Sequence, residues 1–293
     1  MGRIDLHMHS NISLDGEFSP EALAVLCRGS GLKAVSLTDH NSVRGAAAMS
    51  GALQGSGIRF INGIELDCTW EGVDLHLLGY GIDIWDRRYR ELEESILEQK
   101  REFTRFRIDK MKEMGFQFEE EKVYGLAVQG IVIPEMLAEV ILEDGRNGKH
   151  PLLQPFLPGG KRSDNPYVNF FWDFFSQGKA AFAPVQYMMA EDAVGLVEDT
   201  GGFPVIAHPG PVFGRREELI CRIAGLGAVG METYCSYHTR EETEYYNSLA
   251  DKLHLLKTMG SDFHGKSKPS VKLGGTGAGD VEEGLFLEIC RRL

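Results

Sequence analysis

Residues 3–10 read Arg3-Ile4-Asp5-Leu6-His7-Met8-His9-Ser10, a short strand-like run that ends on two histidines one residue apart. Along a strand, residues i and i+2 point to the same face, so His7 and His9 can turn both imidazoles towards one ion. Alone, such a pair is a weak signal, because two surface or core histidines are the commoner outcome. What gives it weight is the recurrence of the same arrangement further along the chain.

Ser19-Pro20-Glu21 opens a helix that runs to Gly29, with Ser as N-cap and Pro at the first helical position. Residues 33–38 are strand-like and end at Asp39-His40, residues 43–53 are helical, and residues 58–64 form a strand ending at Glu65. Residues 73–80 form a further strand carrying His76 in its interior. After a long middle section the pattern resumes: 204–207 before His208, 229–233 around Glu232, and 255–259 before Asp262 and His264. Strand, loop and helix repeated in this way predict a parallel α/β architecture. Ligand-type side chains recur where strands end, which is where α/β barrels gather their chemistry.

Residues 86–199 lack the alternation. A long charged helix over 86–114 is followed by Gly-, Pro- and aromatic-containing stretches and further helical runs. The expected organisation is therefore a discontinuous barrel over 1–85 and 200–293, interrupted by a mainly helical insertion over 86–199.

The 293 residues carry a net charge of −12, which disfavours a groove that tracks a long polyanion. No stretch approaches the roughly 20 apolar residues needed to cross a bilayer. The first residues bring charge and imidazole instead of an apolar signal region, so a cytoplasmic location is expected. Five scattered cysteines without a Cys-x-x-Cys pair read as reduced thiols filling the core.

Six of the nine histidines, at 7, 9, 40, 76, 208 and 264, fall beside Asp15, Glu65 and Asp262 in this pattern. Imidazole and carboxylate without thiolate suit Zn²⁺, Mn²⁺ or Fe²⁺. Nine ligands exceed the need of one ion and match two or three divalent ions sharing carboxylates. Bound metal ions would supply the positive charge to draw in a small anionic substrate despite the acidic surface.

His-x-His near the start, Ser-Leu-Asp-Gly at 13–16, Thr-Asp-His at 38–40, Glu65 followed by His76, Ala-His-Pro-Gly at 207–210 and Gly-Ser-Asp-Phe-His-Gly at 260–265 resemble the PHP (polymerase and histidinol phosphatase) family. Over about 3–85 and 200–280 the likeness is greatest to its nucleotide-directed branch. It implies a distorted (β/α)7 barrel holding three divalent ions. His7, His9, Asp262 and bridging Glu65 would bind the first, Glu65, His76 and His208 the second, and Asp15, His40 and His264 the third. Asp15 lies six residues after His9, a spacing of five in some relatives. Asp39 would stand behind the ligands and orient an imidazole. The implied reaction is phosphoester hydrolysis by a water deprotonated between two cations, with Glu65 and Asp262 at its centre.

By the same resemblance His238 would contact the substrate phosphate or act as an acid on the leaving group, while a structural, helix-capping role is equally compatible. Glu232 would support the metal ligands, or else form a buried salt bridge. Arg44, Lys266, Lys268 and Lys272 lie near motif loops, where they could hold an anion, although each taken alone reads as a solvated surface charge. His150 and His254 have no motif company. Relatives commonly carry an Arg-x-His stretch in the insertion. The corresponding residues 130–139 here, Gly-Ile-Val-Ile-Pro-Glu-Met-Leu-Ala-Glu, contain neither Arg nor His. The expected substrate is a small phosphorylated metabolite, such as a nucleoside 3',5'-bisphosphate or short oligonucleotide. Histidinol phosphate, a non-catalytic metal-binding module and an amide hydrolase are the competing readings.

Overall fold

The structure, a computed structural model, describes residues 3–293. Ser19 begins the first helix as its sequence predicts: its side chain accepts from the Ala22 N–H, and Pro20 occupies the position where a missing N–H costs nothing. The first half of the chain runs β1 (Ile4–Asp5), α1 (Pro20–Gly29), β2 (Ala34–Leu37), α2 (Ala46–Leu53), β3 (Arg59–Trp70) and β4 (Val73–Tyr80). The middle contributes α3 (Arg87–Glu113), α4 (Glu120–Leu126), α5 (Pro134–Glu143), α6 (Pro166–Phe174), β5 (Met188–Met189) and α7 (Ala190–Asp199). The chain then follows β6 (Phe203–Ile206), α8 (Pro209–Phe213), α9 (Glu217–Gly225), β7 (Gly230–Cys235), α10 (Arg240–Lys252), β8 (Leu256–Gly260) and α11 (Glu282–Cys290).

One sheet runs in the order β1-β2-β3-β4-β6-β7-β8, with β5 added to β3. Its two edges meet where the chain leaves β1 and runs beside β8 and the residues after it. The Leu6 N–H donates to Met259 O at 3.1 Å, the Asp262 N–H donates to His7 O at 2.8 Å, and Met8 bridges Phe263 in parallel. Seven strands thus form a nearly closed barrel, the α/β architecture expected.

Two expectations are corrected. The sheet is not wholly parallel, since β4 runs antiparallel to both β3 and β6. Only Glu71 and Gly72 join β3 to β4, both at positive φ (47° and 77°). Two such residues make a tight hairpin turn, whereas a parallel crossover needs a dozen or more. Nor does β3 stop at Glu65; it continues to Trp70, which places Glu65 and Asp67 on the same face of one long strand.

Around the barrel, Val194 and Val197 of α7, Ile220 and Ile223 of α9 and Leu249 of α10 bury against Ile64, Leu66, Leu77 and Ile206. A separate apolar cluster spans residues 108–181 and is built on Ile108, Met111, Leu137, Ile141, Phe170 and Phe174. The Phe170 and Phe174 rings lie 4.5 Å apart there. Asp86 caps α3 by accepting from the Arg88 N–H, and this long helix carries the chain from the barrel into the second cluster.

Candidate metal centre

All nine residues singled out as ligands converge in the structure. Ligand atoms of His7, His9, Glu65 and Asp262 lie within 4.8 Å of one another, as do those of Glu65, His76 and His208, and those of His9, Asp15, His40 and His264. A further such group joins His40, Asp67 and His76. Asp67 is the member that sequence reasoning missed. Its signal was available, because Glu65 and Asp67 are separated by one residue of a strand.

Glu65 divides the site. Its Oε1 lies 2.9 Å from His208 Nε2 and 3.0 Å from His76 Nδ1. Its Oε2 lies 3.1 Å from the Nε2 atoms of both His7 and His9. Asp262 Oδ1 stands 3.3 and 3.1 Å from the same two nitrogens. Asp15 Oδ2 is 3.2 Å from His264 Nε2 and 3.8 Å from His40 Nε2.

Supporting contacts hold several rings from behind. His7 Nδ1 lies 3.0 Å from Glu232 Oε1, and the other oxygen of that carboxylate accepts from the His208 N–H at 2.9 Å. His9 Nδ1 donates to Ser13 Oγ at 3.1 Å, and that hydroxyl donates to Asp39 Oδ1 at 2.9 Å. His264 Nδ1 lies 2.9 Å from the Asp262 carbonyl. In each ring the proton belongs on Nδ1, so Nε2 is free to turn its lone pair into the cluster. Asp39 therefore acts through Ser13, behind the ligands. Gly260 is required by the same crowding: a Cβ there would fall 2.1 Å from His7 Cβ and 2.5 Å from Glu232 Oε1.

The donor set fits divalent metal. Asp15 Oδ1, His40 Nδ1, Glu65 Oε2, Asp262 Oδ1 and His264 Nε2 are buried without a hydrogen-bond partner among the described residues. Glu65 Oε2 thus approaches two imidazole nitrogens without satisfactory hydrogen-bond geometry to either. Leaving so many buried polar atoms unpaired is costly unless something else binds them.

Charge favours the same reading. Burial alone would raise the Glu65 carboxyl, but the imidazoles of His7, His40 and His76 hold it well below the usual carboxylate range. Asp262 is likewise held down against burial by Lys268, His264 and His7. Burial and the neighbouring His264 and His40 rings push His9 down to about 4. Burial works against protonating His40, yet Glu65 and Asp67 raise it to about 10. Anionic oxygens and imidazoles whose protons a cation can displace are what hard and borderline metals require.

The remaining candidates are placed differently. Lys268, which read as a surface charge, is buried with Nζ 2.6 Å from Asp262 Oδ2; Tyr237 OH donates to that oxygen at 2.6 Å. Arg44 is paired with Glu93 at 2.7 Å and Lys266 with Glu139 at 2.7 Å, so the charge each would offer a substrate is already matched. Both line a cleft beside Asp15. Lys272 is exposed and donates to Pro269 O. His238 has both ring nitrogens engaged: Nδ1 donates to Thr233 O at 2.9 Å, and Nε2 accepts from the Gly210 N–H at 3.2 Å. That geometry favours bracing the His208-Pro209-Gly210 turn over proton transfer to a leaving group. His150 packs its ring 4.7 Å from Phe116.

The cluster opens on a cavity of about 380 Å³ whose wall includes Asp15, His40, Asp67, His76 and His208. Among the described residues no helix is long and apolar enough to cross a membrane.

Residues 5–123 match the PHP domain. The chain is 29% identical to a 3',5'-nucleoside bisphosphate phosphatase of Chromobacterium violaceum, over 99% of this chain and 95% of that one. It is 26% identical to a phosphoribosyl 1,2-cyclic phosphate 1,2-diphosphodiesterase of Eggerthella lenta, over 89% of this chain and 94% of that one. Among solved structures, a Chromobacterium violaceum protein described as an amidohydrolase with bound sulfate and no metal superposes with a TM-score of 0.79. That likeness comes at 26% identity and covers 99% of this chain and 96% of the other.

Proposed function

We propose that this chain, whose residues 5–123 match the PHP domain, is a metal-dependent hydrolase of phosphoester bonds and that its substrate is a small phosphorylated nucleotide. Histidines 7, 9, 40, 76, 208 and 264 with Asp15, Glu65 and Asp262 are the proposed ligands of two to three Mn, Fe or Zn ions, and Asp67 joins them. The observation that carries this reading is the division of Glu65, whose two oxygens face two different sets of imidazoles. One carboxylate placed in this way suits a bridge between neighbouring ions.

Bound divalent cations supply Lewis-acid polarisation of a phosphoryl oxygen, acidify water and neutralise charge that builds in the transition state. The protein's own part is to hold the donors fixed. Glu232 orients His7, Asp39 acts on His9 through Ser13, and Lys268 with Tyr237 occupies Oδ2 of Asp262 so that Oδ1 faces the cluster. Residues of the barrel strands and of α3 and α6 line the same cavity, whose volume of about 380 Å³ suits a small substrate. Lys268 is committed to its ion pair with Asp262, which argues against the carbamylated lysine of an amide-hydrolase site.

Phosphate release would be measured with the protein loaded separately with Mn, Fe or Zn. Nucleoside bisphosphates, short oligonucleotides and histidinol phosphate would be offered in parallel. We expect turnover of a nucleotide; preference for histidinol phosphate would refute the nucleotide assignment.

A further inference from the structure

The parallel pairing of β2 with β3 runs on past the end of β2. The Glu65 N–H donates to Asp39 O at 3.3 Å, and the Asn41 N–H donates to Glu65 O at 2.7 Å. One more step of this ladder would bring the Asp67 N–H to the Asn41 main-chain carbonyl. The backbone turns away instead, because Asn41 takes a left-handed φ of 53°. Its side chain continues the ladder in place of the main chain: Oδ1 accepts the Asp67 N–H at 3.0 Å.

The other half of the amide faces the carboxylate. Asn41 Nδ2 donates to Asp67 Oδ2 at 2.8 Å. The two contacts fix which end of the amide is which, since an N–H needs an acceptor and a carboxylate needs a donor. One buried side chain therefore holds Asp67 twice, at its backbone and at one oxygen. The remaining oxygen, Oδ1, lies 3.0 Å from His40 Nδ1 and 3.3 Å from His76 Nε2. Those rings belong to two different ligand groups, one with Asp15 and His264 and the other with Glu65 and His208. Asp262 is built alike, with Lys268 and Tyr237 on its Oδ2 and Oδ1 turned to the cluster. At Asp67 the clamp is a neutral amide, which fixes the carboxylate and leaves its charge for a metal ion.

We propose that Asn41 is a positioning residue of the metal centre: through Asp67 it ties the ligand groups of His40 and His76 together, and their hold on divalent metal depends on it. This rests on the reading of Asp67 as a metal ligand above.

Metal binding tests it without relying on turnover. The whole chain, stripped of metal, would be titrated with Co²⁺, whose visible absorption reports ligand geometry, and ions per chain would be counted by elemental analysis. Asn41→Gly removes the amide yet suits a left-handed φ, so the turn is kept. Asn41→Asp keeps both the size and the turn but sets an acceptor against an acceptor, and it carries the test if the Gly variant does not fold. We expect each to weaken Co²⁺ binding by about tenfold or more, the scale of contacts behind a ligand, with an altered spectrum. A residue that merely shaped the turn would change neither in Asn41→Gly. Asp67→Ala should weaken binding too, and adding Asn41→Gly to it should cost nothing more, because the two act as one unit. Wild-type affinity and spectrum in either Asn41 variant, or additive losses in the double variant, overturn the proposal. Wild-type affinity in Asp67→Ala refutes Asp67 as a ligand and the proposal with it. The expected Co²⁺ effects in a protein that hydrolyses no phosphoester keep the role of Asn41 and refute the phosphoesterase reading alone.

Discussion

Glu232 lies 3.0 Å behind Nδ1 of His7 and, with its other oxygen, accepts the backbone N–H of His208 at 2.9 Å. One fully buried carboxylate thereby sets the ring orientation of a histidine in one ligand group and the backbone position of a histidine in another. Replacing it with Gln keeps the size but puts an amide N–H₂ where one of two donors now points. Glu232→Gln is expected to lower metal affinity by about 10–100-fold. Metal titration against the wild type measures this; unchanged affinity would mean that His7 is held by other contacts.

Asp262 and His9 meet at 3.1 Å inside the first ligand group. Asp262→Ala and His9→Ala should each lose bound metal and phosphate release together. Elemental analysis of purified protein reads the first and a phosphate assay the second. Two to three Mn, Fe or Zn per wild-type chain are expected, and full metal content with full activity in either variant would place the centre elsewhere.

Protons compete with metal at this site. His40 is drawn up to about 10 by Glu65 and Asp67 against the opposing effect of burial, so near neutral pH a cation must displace its proton. Metal binding to a protonated ring releases a proton, and mass action then makes affinity rise with pH until the ring is already neutral. We expect metal affinity to climb from pH 6 towards pH 9, and weakly buffered protein to acidify its solution when Mn²⁺ or Zn²⁺ is added. Affinity that is flat across this range would show that His40 is neutral before metal arrives.

Gly260 is where β8 presses against the centre. Gly260→Ala would place a methyl 2.1 Å from His7 Cβ, a separation that requires β1 or β8 to move. Overpacking of this kind costs about 1–3 kcal/mol or more. Thermal unfolding should fall by several degrees and metal content should fall with it; a variant with wild-type melting and metal content would show that the strands can part without loss.

Much of the fold could be read locally. Ser19-Pro20 starts α1 and Asp86 starts α3 because capping depends on a few adjacent residues. The direction of β4 could not be read from strand pattern alone, since parallel and antiparallel strands share the same alternation of side chains; the two-residue Glu71-Gly72 turn decides it.

At the site, the nine residues that converge were legible because their side-chain types define a donor chemistry and most of them follow strand ends or the two-residue period of a strand. His7 and His9, met first as a weak pair, stand in the structure as one corner of that larger constellation. Partnership is another matter. Whether a cation is spent or free depends on what faces it across the fold: Lys268 is bound to Asp262, Arg44 to Glu93 and Lys266 to Glu139, while Lys100 and Arg107 have no carboxylate within ion-pair distance among the described residues. His238 shows the same dependence, its two nitrogens satisfied by backbone groups from separate loops. The amino-acid sequence by itself determined the kind of chemistry; the tertiary structure alone decided which charges are left for a substrate, because pairing is set by contacts between residues far apart in the chain.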